Sequence, residues 1–265
     1  MLLTRELFAT LRHAQHAELR AMAEAAQRLL PDIGVETIDV AGGLAVFAGI
    51  ERPISKAYGV GSFAAVSAGD VARITEFYES RGTTPRVTVD PLADATLGRT
   101  LAQSGYTPCD FTSVMATDEL QAAAFKDERI GIAADVRAWA IASAQGFRGR
   151  ETLEPGDDEI ATIVADTHGV VALEGRDGDA IAATSAMGLS GECASIIAGS
   201  TLVAYRNRGW HLAMIRDRLA RAVESGARIA HGFAGPGGRS ERNFHRCGFQ
   251  TLYTRVLWEK RTTTQ

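Results

Sequence analysis

Residues 204–219 read AYRNRGWHLAMIRDRL, which places two arginines, an asparagine and a glycine directly before an amphipathic helix. The first turn of a helix presents N–H groups with no intrahelical partner, at the positive end of its dipole. Gly209 allows close approach of the backbone to a ligand, and Arg206 and Arg208 add permanent positive charge. Together these features predict a pyrophosphate cradle. His211 falls in the helix's first turn, where the dipole disfavours a protonated ring. The ring is therefore expected to be neutral, and to become protonated when a bound phosphate favours its charged form. Ligand affinity would then rise as pH falls from about 8 to 6, across the ordinary His titration.

The elements around this loop repeat along the chain. Apolar residues at three-to-four-residue spacing predict a helix over about 4–30, stopped by Pro31 and Gly34. A hairpin is expected around Gly42-Gly43, then a helix to Gly82 capped at Ser67 or Asp70, a strand in PRVTVD, a helix to Gly105 and a strand in FTSVMA. After the polar join TDELQAAAFKDERIG come two helices, over about 135–144 and 157–166. A hairpin is expected at Asp177-Gly178 between strands over about 170–174 and 180–187, followed by a strand over about 194–202. The helix after Gly209 runs to Gly226, then strand, helix and strand close the chain. Gly105-Tyr106 and Gly248-Phe249 occupy matching places, an offset of 248 − 105 = 143 residues. The pattern predicts a mixed α/β (α+β) fold in two tandem halves, residues 1–118 and 119–265. Only the second half carries Arg-x-x-Gly, so it is the candidate active copy.

Composition narrows the function classes. With 46% hydrophobic residues in 265, the chain can build a real core. A net charge of −4 argues against a nucleic-acid-coating surface. Cys109, Cys193 and Cys247 are too scattered for a disulfide framework or a zinc knuckle, so no metal is expected. The charged N-terminal stretch predicts neither a signal peptide nor a membrane span, and a reduced, cytoplasmic setting fits. The phosphate-binding motifs Gly-x-x-x-x-Gly-Lys and Gly-x-Gly-x-x-Gly after a first strand are both absent.

From about Ile130 to Lys260 the sequence resembles the GNAT superfamily of acetyl-CoA-dependent N-acetyltransferases. The resemblance rests on Arg206-Asn207-Arg208-Gly209-Trp210-His211 and on SERNFHRCGF. The first half resembles a degenerate copy of the same unit, as in tandem members. The resemblance implies that acetyl-CoA is the acyl donor and an amine of a small molecule or protein the acceptor. It implies that Thr201, Leu202 and Val203 hold the pantetheine arm through their backbone. It places the pyrophosphate on Arg206, Asn207, Arg208 and Gly209 and on the following Trp210, His211 and Leu212, and adds Asn243 from the later helix.

Two residues depart from the family pattern. His211 stands where the signature ends in Gly or Ala. Phe244 stands four residues before Gly248, where the family often places a Tyr that protonates the departing thiolate. Loss of such an acid costs about 10²–10⁴-fold in rate rather than all of it. Tyr205 and Tyr253 are candidate substitutes. Glu192, His168 and His231 are candidate bases, Cys193 a candidate lining residue, and Arg242 and Arg246 candidates for the 3′-phosphate. None is singled out by spacing, so the catalytic residues stay unassigned. The alternative class is a non-catalytic acyl-CoA-binding or sensing module. Oligomeric state does not follow from the sequence.

Overall fold

The structure is a computed structural model that describes residues 1–261. The chain divides into two compact units. The N-terminal unit is Leu2–Ser113 together with the chain from Tyr253, and the central unit is Val114–Leu252 with Met1.

The N-terminal unit opens with helix α1 (Arg5–Leu29), whose first turn is capped by the Thr4 hydroxyl accepting from the Leu7 amide. Strands β1 (Glu36–Val40) and β2 (Gly43–Phe47) form an antiparallel hairpin. Its turn is Ala41-Gly42, both at positive φ, one residue earlier than the sequence suggests. Gly43 instead joins the ladder opposite Val40, where a Cβ would sit 2.4 Å from the Val60 nitrogen. The short strand β3 (Lys56–Tyr58) pairs antiparallel with β2. Helix α2 (Ala68–Glu79) starts at a reciprocal capping box, so Ser67 and Asp70 act together rather than as alternatives. Strand β4 (Arg86–Val89) runs parallel to β3, and helix α3 (Ala95–Gln103) ends at Gly105 with φ +83°. Strand β5 (Tyr106–Thr117) follows. The core gathers Phe47, Ile74, Tyr78, Leu97, Leu101 and Tyr106.

The central unit contains α4 (Leu120–Ala123), β6 (Ile130–Ile132), α5 (Val136–Arg148) and α6 (Glu159–Asp166). Strands β7 (Val170–Asp177), β8 (Ala180–Ser190) and β9 (Cys193–Thr201) then form an antiparallel meander, with β6 on the far edge of β7. The β7–β8 turn is Gly178-Asp179, again shifted by one, because Gly178 takes the left-handed conformation at φ +62°. Helix α7 (Trp210–Glu224) carries the chain from β9 to β10 (Ile229–Ala234), which pairs parallel with β9. Helix α8 (Arg239–Arg246) ends at Gly248 with φ +81°, and β11 (Gln250–Lys260) closes the chain. From Tyr253 onward β11 belongs to the N-terminal unit, where Val256–Glu259 pair antiparallel with β4. Ile196, Ile215, Leu219, Ala230, Phe244 and Phe249 are central to the second core. Among the described residues no helix is long and apolar enough to cross a membrane.

Candidate functional site

Parallel pairing of β9 and β10 ends at Ile196 opposite Gly232. Beyond it β9 continues to Thr201 and β10 to Ala234. The register of β9 on β8 also shifts here, since Ala186 faces Ile197 but Thr184 faces Ser200. Ala198 absorbs the extra length at φ +50°, a strained value for a residue with a Cβ. The result is a slot between two parting strands. Ala198, Gly199, Ser200 and Thr201 line one side and Phe233 and Ala234 the other, within a cavity of about 1180 Å³.

The mouth of the cavity is the start of α7. Gly209 (φ +84°) is the N-cap and no side chain caps the helix. The first-turn amides of Trp210, His211 and Leu212 are therefore left for a ligand or solvent. All three residues line the cavity, but the Trp210 ring points into the core, packed on Gly175 and under the Arg129 guanidinium. Its backbone alone serves the loop.

The loop arginines are not aimed at the mouth. Arg206 donates to the Thr201 and Gly146 carbonyls, at 3.2 and 2.8 Å, and so ties the loop to the end of α5. Arg208 lies over the Tyr205 ring and 3.7 Å from the Asp177 carboxylate, outside the cavity lining. Leu202 donates its amide to the Ala182 carbonyl, and Val203 is exposed at the start of a single 3₁₀ turn; neither lines the cavity. Thr201, Arg206, Asn207, Gly209, Trp210, His211, Leu212 and Asn243 do.

Charge in the cavity is one-sided. Among the described residues five arginines line it, Arg206, Arg218, Arg239, Arg242 and Arg246, and no Asp or Glu does. Arg239 donates to Asn207, Arg242 to the Gly237 carbonyl and Arg246 to Asn243, all neutral acceptors. A chain of net charge −4 thus concentrates uncompensated positive charge around one slot at a helix N-terminus. That arrangement suits a polyanion. Arg218 was not among the residues selected from the sequence. It shares the α7 face of Ile215, Leu219 and Ala222, and an arginine inside an apolar stripe was the available signal.

His211 is largely enclosed, and its ring meets Phe244 edge-on. Its Nδ1 accepts from the Asn243 amide at 3.0 Å. Burial, followed by the nearby Arg218, brings its pKa down to about 4. Phe244 fills the space over Gly232, where a Cβ would lie 2.7 Å from its ring.

The candidate acids and bases lie mostly elsewhere. Tyr205 lines the cavity. Tyr253 belongs to the N-terminal unit. Glu192 sits in the β8–β9 turn beside Arg228, His168 is exposed, and His231 is buried on β10 against Phe233. Cys193 is buried, which pushes its thiol up to about 11 and leaves it protonated.

A parted parallel strand pair thus leads into an uncapped helix start. No family profile and no curated protein matches this sequence. Solved structures do. A GCN5-related N-acetyltransferase from Kribbella flavida aligns with a TM-score of 0.64 at 16% identity, over 91% of this chain and 96% of its own.

The chain has the GNAT fold.

A GCN5-related N-acetyltransferase from Sphaerobacter thermophilus aligns at TM-score 0.59 and 18% identity, over 94% of this chain and 91% of that one. A tandem GNAT protein from the clavulanic acid biosynthesis pathway, solved without AcCoA, aligns at 0.57 and 13%, over 83% of this chain and 79% of its own. The expected mixed α/β architecture and the likeness to a tandem GNAT protein are thus both found in the fold.

Proposed function

We propose that the chain is an acyl-CoA-dependent N-acetyltransferase whose central unit holds acetyl-CoA in the β9–β10 slot. The observation that carries this reading is the cavity's charge: among the described residues five arginines line it and no Asp or Glu does, at an uncapped helix start. The CoA phosphates would meet the first-turn amides of α7, with Arg239 and Arg242 near the rim. The pantetheine arm would run along Ala198–Thr201. Thr201, Arg206 and Asn207 are read as donor contacts, with Asn243 facing them from α8, whereas Leu202, Val203 and Arg208 lie outside the cavity lining.

The acceptor is an amine of a small molecule or protein. Its neutral nitrogen attacks the thioester carbonyl, so that a C–N bond forms, the C–S bond breaks and the electron pair leaves on sulfur. The proton lost by the amine passes to solvent. Backbone amides at the parted strand can stabilise the oxyanion. With Phe244 in place of a phenol, a thiolate has to leave without that acid.

Residues 1–118 and 119–265 are read as two copies of one unit, the last four residues lying outside the described ones. The matching left-handed corners at Gly105 and Gly248 support this reading.

Acetyl-CoA at about 100 times its dissociation constant is expected to stabilise the protein by roughly 2.7 kcal/mol. A flat thermal melt in millimolar acetyl-CoA, backed by calorimetry without heat, would sink the assignment. The second reading is a non-catalytic acyl-CoA-binding module, favoured by the fact that no Asp or Glu among the described residues lines the cavity to act as base. Acetyl transfer to a panel of amines separates the two.

A further inference from the structure

The inner part of the slot holds a buried charge whose hydrogen bonds go only to neutral carbonyls, while Asp217, its neighbour on α7, is itself bonded to Arg221. Arg218 is 1% exposed. Its Nε donates to the Met214 carbonyl at 3.0 Å, and its Nη1 to the carbonyls of Ala186 and Ile197, at 3.2 and 2.8 Å, beside the β8–β9 register shift. These bonds use Nε and Nη1 and leave Nη2 without a partner, and no carboxylate among the described residues pairs with the guanidinium. Nη2 faces Gly199: a Cβ built there would lie 3.4 Å from it. The same point is 3.5 Å from His211 Nε2. Asn243 occupies Nδ1 of that ring as a donor, so the proton sits on Nε2. Two N–H donors, one fully charged, therefore converge beside Gly199 in the wall of the cavity.

A buried guanidinium bonded only to neutral carbonyls is costly, and a permanent anion relieves that cost in a way a neutral ligand cannot. The phosphates have their own site at the mouth, at the first turn of α7. The Arg218 guanidinium is anchored on the Ala186 and Ile197 carbonyls, one residue past Ile196 where the strands part, and Gly199 stands three residues from that point. The group that reaches this depth is the far end of the donor. Resting on the acyl-CoA reading above, we propose that Arg218 Nη2 and His211 Nε2 form a receptor for a carboxylate carried by the acyl group, so that the chain prefers malonyl- or succinyl-type thioesters to acetyl-CoA.

The experiment is calorimetric affinity of the full chain for CoA, acetyl-CoA, butyryl-CoA, malonyl-CoA and succinyl-CoA. At least one dicarboxylic thioester is expected to bind about tenfold or more tighter than acetyl- and butyryl-CoA, the contribution of a charge-assisted pair. Gly199→Ala places a methyl at ordinary contact distance between the two donors and leaves Arg218 on its carbonyls. It is expected to erase the preference, bringing dicarboxylic and monocarboxylic thioesters to within about threefold of one another on the same variant. Arg218→Met should do the same if it folds, and Gly199→Ala decides the matter if it does not. CoA binding with equal affinity for all four thioesters overturns the carboxylate receptor and leaves the acyl-CoA reading standing. No binding of CoA overturns both. Equal donor affinities, with a preference instead for acceptors bearing a carboxylate, would assign the pair to the acceptor and overturn the proposal.

Discussion

Asn243 donates its amide hydrogen to Nδ1 of His211 at 3.0 Å, while its own carbonyl oxygen accepts from Arg246 at 3.0 Å. The second bond fixes which way the amide faces, and the first then fixes the imidazole tautomer. His211 is a neutral donor through Nε2, as expected for a ring in the first turn of a helix. The larger causes are burial and then Arg218, which together bring its pKa to about 4.

This makes His211 a source of acid instability. Its folded value lies below the ordinary 6.5, so the unfolded chain binds the extra proton first. The contribution to stability is complete above about pH 6.5 and is lost as pH falls toward 4. Between pH 7 and 5 the wild type should lose about 2 kcal/mol more than His211→Gln, which has no ring to titrate. Urea unfolding of both proteins at the two pH values reads the difference. Parallel losses would mean that the ring titrates normally.

The same shift moves the expected pH dependence of donor binding. A ring with an ordinary pKa would gain its proton, and the ligand its affinity, between about pH 8 and 6. With a free value near 4, affinity for acetyl-CoA should stay flat over that range and rise only below about pH 6. Calorimetric titrations from pH 8 to 5 test it. A slope already present between 8 and 7 that disappears in His211→Ala would show a ring far more solvated than this geometry allows.

Gly232 is where β10 admits the Phe244 ring. A Cβ there would lie 2.7 and 2.9 Å from ring carbons and 3.1 Å from the Ile196 carbonyl. Phe244 is buried against Phe249, and the open space beside it is the cavity it lines. Gly232→Ala should therefore destabilise the fold by about 1–3 kcal/mol, the usual cost of overpacking. It should also weaken donor binding, because the displaced ring moves toward the slot it lines. Denaturant unfolding and a donor titration on the same variant check both effects. A fully stable Gly232→Ala would show that α8 is loosely seated.

Much of this was legible in the sequence. The helix after Gly209, the two hairpins and the glycine corners at 105 and 248 each have a local cause, in periodicity or in a residue suited to positive φ. Strands β3 and β6 were not, because three residues are too few to show a period. The placement of β11 beside β4 was also hidden, since strand pairing is a long-range choice that no local pattern encodes. The site was half legible. The helix start was visible, but the parting of β9 from β10 depends on the strain at Ala198, a residue with no sequence preference for that conformation. Arg206 and Arg208 were the obvious phosphate ligands by type, yet each is tied to a neighbouring group, and four of the five arginines lining the cavity come from α7 and α8.

Asp90 gives the N-terminal unit a buried charge cluster of its own. Its two carboxylate oxygens take Arg12 Nη1 at 2.7 Å and Arg255 Nε at 2.8 Å, and both arginines are under 10% exposed. Burial pushes the Asp90 carboxyl up, but Arg255 and Arg12 outweigh it and hold it below the ordinary carboxylate value. Removing the anion would leave two close guanidiniums without the carboxylate they share. Asp90→Asn, which keeps the shape, is therefore expected to cost about 3–5 kcal/mol at neutral pH, the range for breaking a buried pair by deleting one partner. The pH dependence follows from the same shift. A lowered folded value means that the carboxylate's contribution is complete above its unfolded pKa of about 3.9 and is lost as pH falls through the folded one. The gap between wild type and Asp90→Asn in urea unfolding should thus be widest near pH 7 and narrow in strong acid. A gap below about 1 kcal/mol at pH 7 would mean that water reaches the two arginines and screens them.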